Sequence, residues 1–301
     1  MTLSCLHTHT VFCDGDTDME TMCEAAFSKG FSSIGFSSHA PITKKTGLVT
    51  DWHMKDEKLD EYIDAVLLAR KHWQGRLNVF LGLEVDYFEG LFGPHDPDIQ
   101  ALPLDYIIGT VHYAVSPKKE GFYKVDVWPE EFNSIVELFD NDGRMFCESY
   151  FEAYNGMIRA GGYDILGHLD IQKKCNELYK FFSDDESWYK EILLGTADLI
   201  AGVRCEAEKS GGRIPVAEVN TGAMIRGYTS EPYPSLYMQK LLAERNVPLV
   251  LTADAHRPDY LGGHYETGWK LMRQAGYSTT VFFEGRKNGK AIWREEPLSA
   301  I

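Results

Sequence analysis

The 301-residue sequence lacks paired cysteines, long apolar runs and an excess of basic side chains. Its six cysteines are scattered, with no CxxC pair and no regular spacing, which favours a reducing compartment over a disulfide-stabilised secreted scaffold. No apolar stretch approaches the roughly 18 residues of a membrane span, and the first residues lack the regions of a signal peptide. We therefore expect a soluble cytoplasmic protein with no membrane partner.

The charge balance is acidic, with 30 Lys and Arg against 45 Asp and Glu and a formal net charge of -15. A long nucleic acid would need clustered basic side chains against its phosphates, so this balance argues against such a partner. Repeats of solenoid length and low-complexity linkers are also lacking, and the 44% hydrophobic content can fill a large core. We expect one domain over residues 1–301, and the sequence leaves its oligomeric state open.

Short apolar runs alternate with longer amphipathic stretches, a pattern typical of βα units around a parallel sheet. The predicted strands are residues 3–7, 33–36, 79–84, 106–111, 165–167, 216–219 and 249–251. The predicted helices are residues 18–29, 55–74, 128–140, 149–160, 185–209, 235–245 and 263–275. Thr17 with Glu20 resembles a capping box for the first helix, and residues 281–293 predict a terminal hairpin. Seven βα steps indicate an α/β barrel.

Side chains that can bind metal ions recur where predicted strands end. They are His7, His9, Asp14, His39, Glu84, His112, His168, Asp254 and His256. Any one of these histidines alone would more often be an ordinary core or surface residue. A buried polar group is costly without a partner, however, so their repetition around the barrel predicts one shared, cation-filled pocket. The remaining histidines fall in loops or helices and are assigned no metal role: His53, His72, His95 and His264.

Two local patterns support this pocket. His7 and His9 are two residues apart, so on a strand both imidazoles point to the same face and can reach one cation. Asp14 is followed by Gly15, which permits a tight turn that could fold the carboxylate back towards the pocket. Either pattern alone is weak, because His-x-His and Asp-Gly both occur without metal.

In this order, the motifs resemble the polymerase and histidinol phosphatase (PHP) superfamily over nearly the whole chain. The segments that carry the resemblance are His7-Thr8-His9-Thr10, Asp14-Gly15, His39, Leu83-Glu84-Val85-Asp86-Tyr87, Gly109-Thr110-Val111-His112, Gly167-His168-Leu169-Asp170, Glu218-Val219-Asn220-Thr221 and Ala253-Asp254-Ala255-His256-Arg257. Within the superfamily, the sequence is most similar to the monofunctional histidinol-phosphate phosphatases.

The resemblance implies a distorted (β/α)7 barrel with two or three divalent cations, Zn, Mn or Fe, at the carboxyl ends of the strands. By position, one cation would take His7, His9, Glu84 and Asp254, a second Glu84, His112 and His168, and a third Asp14, His39 and His256. Asp14 departs from relatives that have a histidine near this point. Nitrogen and oxygen ligands without thiolate suit these metals.

The implied reaction is hydrolysis of L-histidinol phosphate to L-histidinol and phosphate, a step of histidine biosynthesis. A metal-bridging hydroxide would attack phosphorus, and a proton donor or metal would meet the leaving oxygen. The expected catalytic residues are Glu84, Asp254, His256 and Asp170, the last as an acid or an outer carboxylate. The expected substrate contacts are Arg226 and Lys173 with the phosphate, Tyr123 at the pocket mouth, and Glu218 and Asn220. The last two could instead orient metal ligands.

Two other functions stay open at this point. The chain could be a PHP phosphoesterase that acts on another small phosphoester or a nucleotide. It could also be a metal-dependent regulatory module without catalysis, although a complete ligand set argues against that. If the chain is either of the two enzymes, its partner is a small phosphate ester.

Overall fold

The centre of the structure is a nearly closed barrel of seven parallel strands, seen in a computed structural model that describes residues 2–298. In chain order the strands are β1 (Ser4–Cys5), β2 (Ser33–Phe36), β3 (Asn78–Asp86), β4 (Tyr106–Thr110), β5 (Tyr113–Val115), β6 (Phe122–Lys124), β7 (Ile165–Leu166), β8 (Val216–Asn220), β9 (Leu249–Thr252), β10 (Thr279–Lys287) and β11 (Lys290–Pro297). The barrel order is β1-β2-β3-β4-β7-β8-β9. Strands β5 and β6 form an antiparallel pair, and so do β10 and β11.

The barrel closes through the segments that follow β9 and β1. The backbone N–H of Ala255 donates to the carbonyl of His7 at 3.1 Å, and that of His9 donates to the carbonyl of Ala255 at 2.9 Å. This short parallel bridge brings the ends of the first and last barrel strands together. The predicted (β/α)7 barrel is confirmed. Its strands run almost entirely buried, as parallel strands covered by helices on the outside do.

Helices connect successive barrel strands. They are α1 (Met19–Ser28), α2 (Thr43–Thr46), α3 (Leu59–Trp73), α4 (Pro97–Gln100), α5 (Phe132–Val136), α6 (Gly143–Ala160), α7 (Asn176–Tyr179), α8 (Ser187–Ser210), α9 (Gly222–Ile225), α10 (Leu236–Glu244) and α11 (Tyr265–Ala275). Single 3₁₀ turns lie at Asp56–Lys58, Glu137–Phe139, Ile171–Lys173 and Pro258–Tyr260. Across residues 2–298, the helices include none with the length and apolar character needed to cross a lipid bilayer.

Helix α1 buries one face, as its amphipathic sequence pattern predicts. Its buried residues Met19, Met22, Cys23 and Ala26 follow the spacing of one helical face. The cap prediction was wrong, because Asp18 and not Thr17 accepts the N–H of Thr21, at 2.8 Å. Asp18 is one residue closer to the helix and its carboxylate also favours the positive end of the helix dipole.

The predicted helix over residues 128–140 is shorter than expected. Only α5 and the 3₁₀ turn after it are helical, and Asp140 ends that turn with a left-handed backbone. Helix α6 begins at Gly143, earlier than predicted, because the Asp142 carboxylate accepts the N–H groups of Arg144 and Met145. Both differences concern helix ends, where local capping outweighs the apolar pattern.

The predicted terminal hairpin is confirmed as β10 and β11, and it covers the amino-terminal end of the barrel. The Phe283 ring lies 5.6 Å from that of Tyr106 and 4.9 Å from that of Phe80. Tyr106 fills the barrel interior so closely that a Cβ at Gly82 would lie 2.4 Å from its ring. With the interior and this end packed, the opposite end, where the strands finish, is left for chemistry.

Candidate metal centre

The predicted ligand side chains converge at the carboxyl ends of the barrel strands. His7, His112, His168 and Asp254 each lie just beyond the last residue of a strand, and Glu84 lies inside β3 near its end. Because neighbouring parallel strands finish at the same rim, side chains far apart in sequence meet there. All these residues are buried. His39, His9, Asp14 and His256 complete the cluster from the adjoining loops.

Glu84 is the residue that joins the cluster. One carboxylate oxygen, Oε2, lies 3.1 Å from Nε2 of His7, 3.4 Å from Nε2 of His9 and 3.0 Å from Nδ1 of His39. The other oxygen, Oε1, lies 2.9 Å from Nε2 of His168. Glu84 therefore faces imidazoles on both sides, as a carboxylate that bridges two cations would.

Asp254 extends the first side of this arrangement. Its Oδ1 lies 3.2 Å from Nε2 of His9 and 3.8 Å from Nε2 of His7. Asp254 has a φ of 48°, a left-handed conformation that aspartate tolerates better than most residues. His7, His9, Glu84 and Asp254 thus share one space, which is the set predicted for the first cation.

A second set lies on the other side of Glu84. Ligand atoms of Glu84, His112 and His168 all lie within 4.8 Å of one another. Nε2 of His112 lies 3.7 Å from Oε1 of Glu84. Nitrogen and oxygen donors at this separation can close round one small divalent cation.

The third set combines His9, Asp14, His39 and His256 within the same limit of 4.8 Å. Oδ2 of Asp14 lies 3.1 Å from Nε2 of His256, and the rings of His9 and His256 stack at 4.1 Å. Asp14 is the most exposed of these side chains, at 31%. The structure thus brings together all nine predicted ligands, and places His9 between the first and third sets.

The turn that delivers Asp14 depends on Gly15. The Gly15 N–H donates to the Thr10 carbonyl at 3.1 Å, and a Cβ on Gly15 would lie 2.4 Å from the Thr10 nitrogen. Only a residue without a side chain fits this turn without moving it.

Several buried atoms in the cluster have no hydrogen-bond partner within the described chain. They are Nε2 of His7, Nε2 of His9, Nδ1 of His39 and Oε2 of Glu84. Leaving such atoms unpaired costs stability, and their lone pairs face a common space. A divalent cation would satisfy them, so the residues fit the predicted metal group.

The electrostatics of the cluster suit cation binding. Burial disfavours the charged form of Glu84, but His39 and His7 outweigh it and hold the pKa of this carboxyl well below its ordinary value. Burial, together with His256 and His39, lowers the pKa of His9 to about 3. Glu84 is therefore ionised and His9 neutral at pH 7, and these are the forms that bind metal.

A layer of carboxylates stands behind the imidazoles. Oε2 of Glu218 lies 2.9 Å from Nδ1 of His7, and Oε1 of Glu218 accepts the backbone N–H of His168 at 2.6 Å. Asn220 donates to Oε1 of Glu218 at 3.1 Å, and both side chains are fully buried. This favours the orienting role for Glu218 and Asn220 over contact with substrate.

Asp86 has the same position behind the second set, a role that was not predicted from the sequence. Its Oδ1 accepts the backbone N–H of His112 at 2.8 Å and lies 3.0 Å from Nδ1 of His112. Its Oδ2 lies 2.9 Å from Nε2 of His53. Burial opposes the charge on His112, but Asp86 outweighs it and raises the pKa of His112 to about 9. Glu84 and Asp86 are two residues apart and share one face of β3, and this spacing could have indicated that Asp86 lies beside the ligands.

Among the predicted substrate contacts, Arg226 lies at the ligands. Its Nη2 donates to Oδ2 of Asp254 at 3.1 Å, and its Nη1 lies 3.2 Å from Nδ1 of His256. The side chain is 20% exposed. Arg226 therefore offers a guanidinium at the edge of the cluster, and guanidinium groups suit phosphate oxygens.

Lys173, a predicted phosphate contact, is buried and paired with carboxylates, and its phosphate role stays a prediction. Its ammonium is 3% exposed and already pairs with Asp184 at 2.9 Å and Glu231 at 2.6 Å. The 3₁₀ turn sends consecutive side chains in different directions, and it is Lys174 that pairs with Asp126, at 2.7 Å. Residue spacing along the chain could not distinguish these two lysines.

Tyr123 and Asp170 lie outside the ligand groups. The Tyr123 hydroxyl donates to the Glu120 carbonyl at 3.1 Å, a contact within the β5–β6 hairpin, and its place at the pocket mouth stays a prediction. Asp170 is fully buried, its Oδ2 accepts the Ser235 N–H at 2.9 Å, and burial raises its pKa to about 6. The acid role of Asp170 stays a prediction.

Comparisons with known proteins agree with this arrangement. Residues 6–206 match the PHP domain family. The chain is 31% identical over 284 residues to "Probable histidinol-phosphatase" of Deinococcus radiodurans, with 93% of this chain and 96% of that protein covered. It is 25% identical over 279 residues to "Histidinol-phosphatase" of Bacillus subtilis, with 86% of this chain and 96% of that protein covered.

A solved structure has a similar fold. Histidinol phosphate phosphatase from Lactococcus lactis, complexed with Zn, L-histidinol and phosphate, superposes with a TM-score of 0.69 at 17% identity. The match covers 97% of this chain and 99% of that one. The two chains therefore share the same fold over nearly their whole lengths.

Proposed function

Because this chain belongs to the PHP domain family, we propose that it is a metal-dependent phosphomonoesterase that hydrolyses L-histidinol phosphate to L-histidinol and phosphate. The observation that carries the proposal is the convergence of imidazoles and carboxylates on the two oxygens of Glu84. The curated relatives matched over most of their length are named histidinol-phosphatases. The substrate is therefore a small phosphate monoester, and the reaction is a step of histidine biosynthesis.

We propose that His7, His9, Glu84 and Asp254 hold one divalent cation, that Glu84, His112 and His168 hold a second, and that Asp14, His39 and His256 hold a third. Zn, Mn and Fe all suit these nitrogen and oxygen donors. Bound cations would offset the charge of the phosphate dianion and lower the pKa of a bound water to about 7.

We propose that residues 1–301 form one metal-dependent phosphatase domain of the PHP type. Residues 1 and 299–301 lie outside the described part of the chain.

The chain's own residues supply orientation and phosphate binding. Glu218 holds Nδ1 of His7, and Asp86 holds Nδ1 of His112, so the Nε2 atom of each ring stays directed at the cluster. Arg226 would pair with phosphate oxygens beside Asp254.

We also propose that the protein is cytoplasmic, because all six cysteines are free thiols.

A substrate panel tests this function. Protein loaded with Zn or Mn should release phosphate from L-histidinol phosphate far faster than from p-nitrophenyl phosphate or nucleotides. The Glu84→Ala variant should lose at least about 100-fold in turnover, because even the loss of an outer partner of a ligand costs about 10- to 100-fold. Equal rates on all monoesters would leave only a general phosphatase, and no turnover on any ester would overturn the proposal.

A further inference from the structure

The cationic end of an amino-alcohol phosphate needs a partner that the predicted residues do not supply. Glu218 is fully buried behind His7 and His168, and its oxygens are used there. An ammonium group on a substrate therefore has to be met elsewhere along the rim of the metal centre. The segment after β6 carries such a partner.

Asp126 is placed beside the metal centre by the backbone. The N–H of Val125, the preceding residue, donates to the carbonyl of His112 at 2.8 Å. Burial opposes the charge on Asp126, but Lys174, His112 and Arg226 outweigh it and hold the pKa of this carboxyl below its ordinary value. Its side chain is 25% exposed. A carboxylate thus stands next to the ligands and is still open to solvent.

Two aromatic rings stand near this carboxylate. The rings of Trp128 and Tyr228 lie 5.6 Å apart in an edge-to-face arrangement. The ammonium of Lys174 lies 4.2 Å from the Trp128 ring, 5.0 Å from the Tyr228 ring and 2.7 Å from Oδ1 of Asp126. A carboxylate with two aromatic faces is the arrangement by which proteins recognise ammonium groups.

The chain holds this arrangement in place from behind. The Cys175 thiol donates to the Val127 carbonyl at 3.3 Å, and the Tyr179 hydroxyl donates to the Pro129 carbonyl at 2.6 Å. The segment that carries Asp126 and Trp128 is therefore fixed on both sides of Trp128. The site is built for a cation, and Lys174 supplies that cation in this structure.

We propose that Asp126, Trp128 and Tyr228 form an ammonium subsite for the substrate, which Lys174 fills until the substrate displaces it. The inference rests on the proposed function and adds the residues that would bind the amino group of that substrate. Arg226 pairs with Asp254 at 3.1 Å. Burial opposes the charge on Arg226, but Asp254 and Asp126 outweigh it and raise the pKa of the guanidinium, so the phosphate and ammonium subsites are neighbours. The displaced ammonium of Lys174 would remain at the rim of the pocket.

Paired substrates test the subsite. L-histidinol phosphate is compared with its deamino analogue, 3-(imidazol-4-yl)propyl phosphate, which has the same phosphate and ring but lacks the amino group. Asp126→Asn should raise KM for the aminated substrate about 10- to 30-fold, with kcat little changed. KM for the deamino analogue should stay within about twofold of its original value, because that analogue does not use the subsite. Glu130→Gln removes an exposed carboxylate from the same segment and should change neither.

Lys174→Met separates this proposal from a simple phosphate role for Lys174. Removal of the internal competitor should lower KM for L-histidinol phosphate and leave the deamino analogue unchanged. A rise in KM for both substrates would instead assign Lys174 to the phosphate and overturn the proposal. The proposal also fails if Asp126→Asn raises KM equally for both substrates or for neither.

The subsite can be tested even if the proposed function fails. Should the protein hydrolyse other monoesters but not L-histidinol phosphate, phosphoethanolamine and ethyl phosphate provide the same paired comparison. Calorimetric titration with L-histidinol gives a readout without turnover. Its affinity should fall about 10-fold or more in Asp126→Asn, and unchanged affinity would contradict the subsite whatever the reaction is.

Discussion

Oε2 of Glu218 lies 2.9 Å from Nδ1 of His7, while Oε2 of Glu84 lies 3.1 Å from Nε2 on the other side of the same ring. Burial opposes a charge on His7, but Glu218 and Glu84 outweigh it and raise the pKa of His7 well above its ordinary value. A cation at the cluster would replace the proton on Nε2, and Glu218 would keep the proton on Nδ1. The pair Glu218 and His7 therefore sets which nitrogen is free to bind.

Glu218→Gln should weaken metal binding about 10- to 100-fold while the barrel stays folded. The Glu218 carboxylate accepts from the His168 N–H, from Thr252 and at His7, and an amide has only one oxygen for these contacts. One of its neighbours would then face an NH₂ group. Competition with a chromogenic chelator measures the affinity, and circular dichroism checks the fold. Glu208→Gln, on the exposed side of α8, is the control, and equal affinity in all three proteins would contradict the role of Glu218.

The meeting of the nine predicted ligand residues was predictable because a parallel barrel collects its strand ends, and the loops that follow them, at one rim. That rule needs only the order of the strands and the polar residues near the end of each. The residues behind the ligands were harder to assign, because Glu218 could have faced either the substrate or the imidazoles until its contacts were known. Asp86 was overlooked although it shares a strand face with Glu84.

Contacts made by turns and loops could not be predicted from the sequence. Lys173 and Lys174 are adjacent, and only the geometry of the 3₁₀ turn decides which ammonium meets Asp126. Asp126 itself has no motif around it, and its place follows from one backbone hydrogen bond between Val125 and His112. Such long-range pairing is set by the folded backbone and leaves no local pattern of residue types.

Removal of metal should abolish activity and lower the thermal stability. Several imidazole and carboxylate atoms of the cluster are buried without partners, so the native state is stabilised by whatever binds them. At a free metal concentration 100-fold above Kd, the stabilisation is about 2.7 kcal/mol. Calorimetry before and after chelation measures the change in Tm, and addition of Zn or Mn should restore both Tm and activity. An unchanged Tm with full activity after chelation would refute a metal centre.

Gly15→Ala should weaken the third metal set selectively. An Ala Cβ would lie 2.4 Å from the Thr10 nitrogen, so the turn must shift and carry Asp14 away from His256. We expect affinity for one metal equivalent to fall about 10-fold or more. Metal content after dialysis against limiting Zn measures this loss. Gly202→Ala is the control, because its Cβ would have no neighbour within 4 Å, and the same metal content in both variants would show that the turn does not position a ligand.

Asp164→Asn should destabilise the protein without disturbing the metal centre. Oδ2 of Asp164 accepts the Ile107 N–H at 3.0 Å and the Arg213 guanidinium at 2.6 Å, and it also accepts Arg286 from the terminal hairpin. The carboxylate is 2% exposed, so its loss leaves two guanidinium groups facing each other at the amino-terminal end of the barrel. We expect the free energy of unfolding to fall by about 2–4 kcal/mol, less than for a fully buried pair because both arginines keep some exposure.

Urea unfolding of Asp164→Asn measures this change, with Glu284→Gln as the control on the same hairpin. Glu284 pairs with Arg294 at the surface, where both side chains are more than 40% exposed, so its loss should cost at most about 1 kcal/mol. Turnover per folded molecule should be unchanged in both variants, because the hairpin packs at the end of the barrel opposite the ligands. Equal unfolding free energies for the two variants would show that Asp164 does not fasten the hairpin to the barrel. A selective loss of turnover would instead link that end of the barrel to the metal centre.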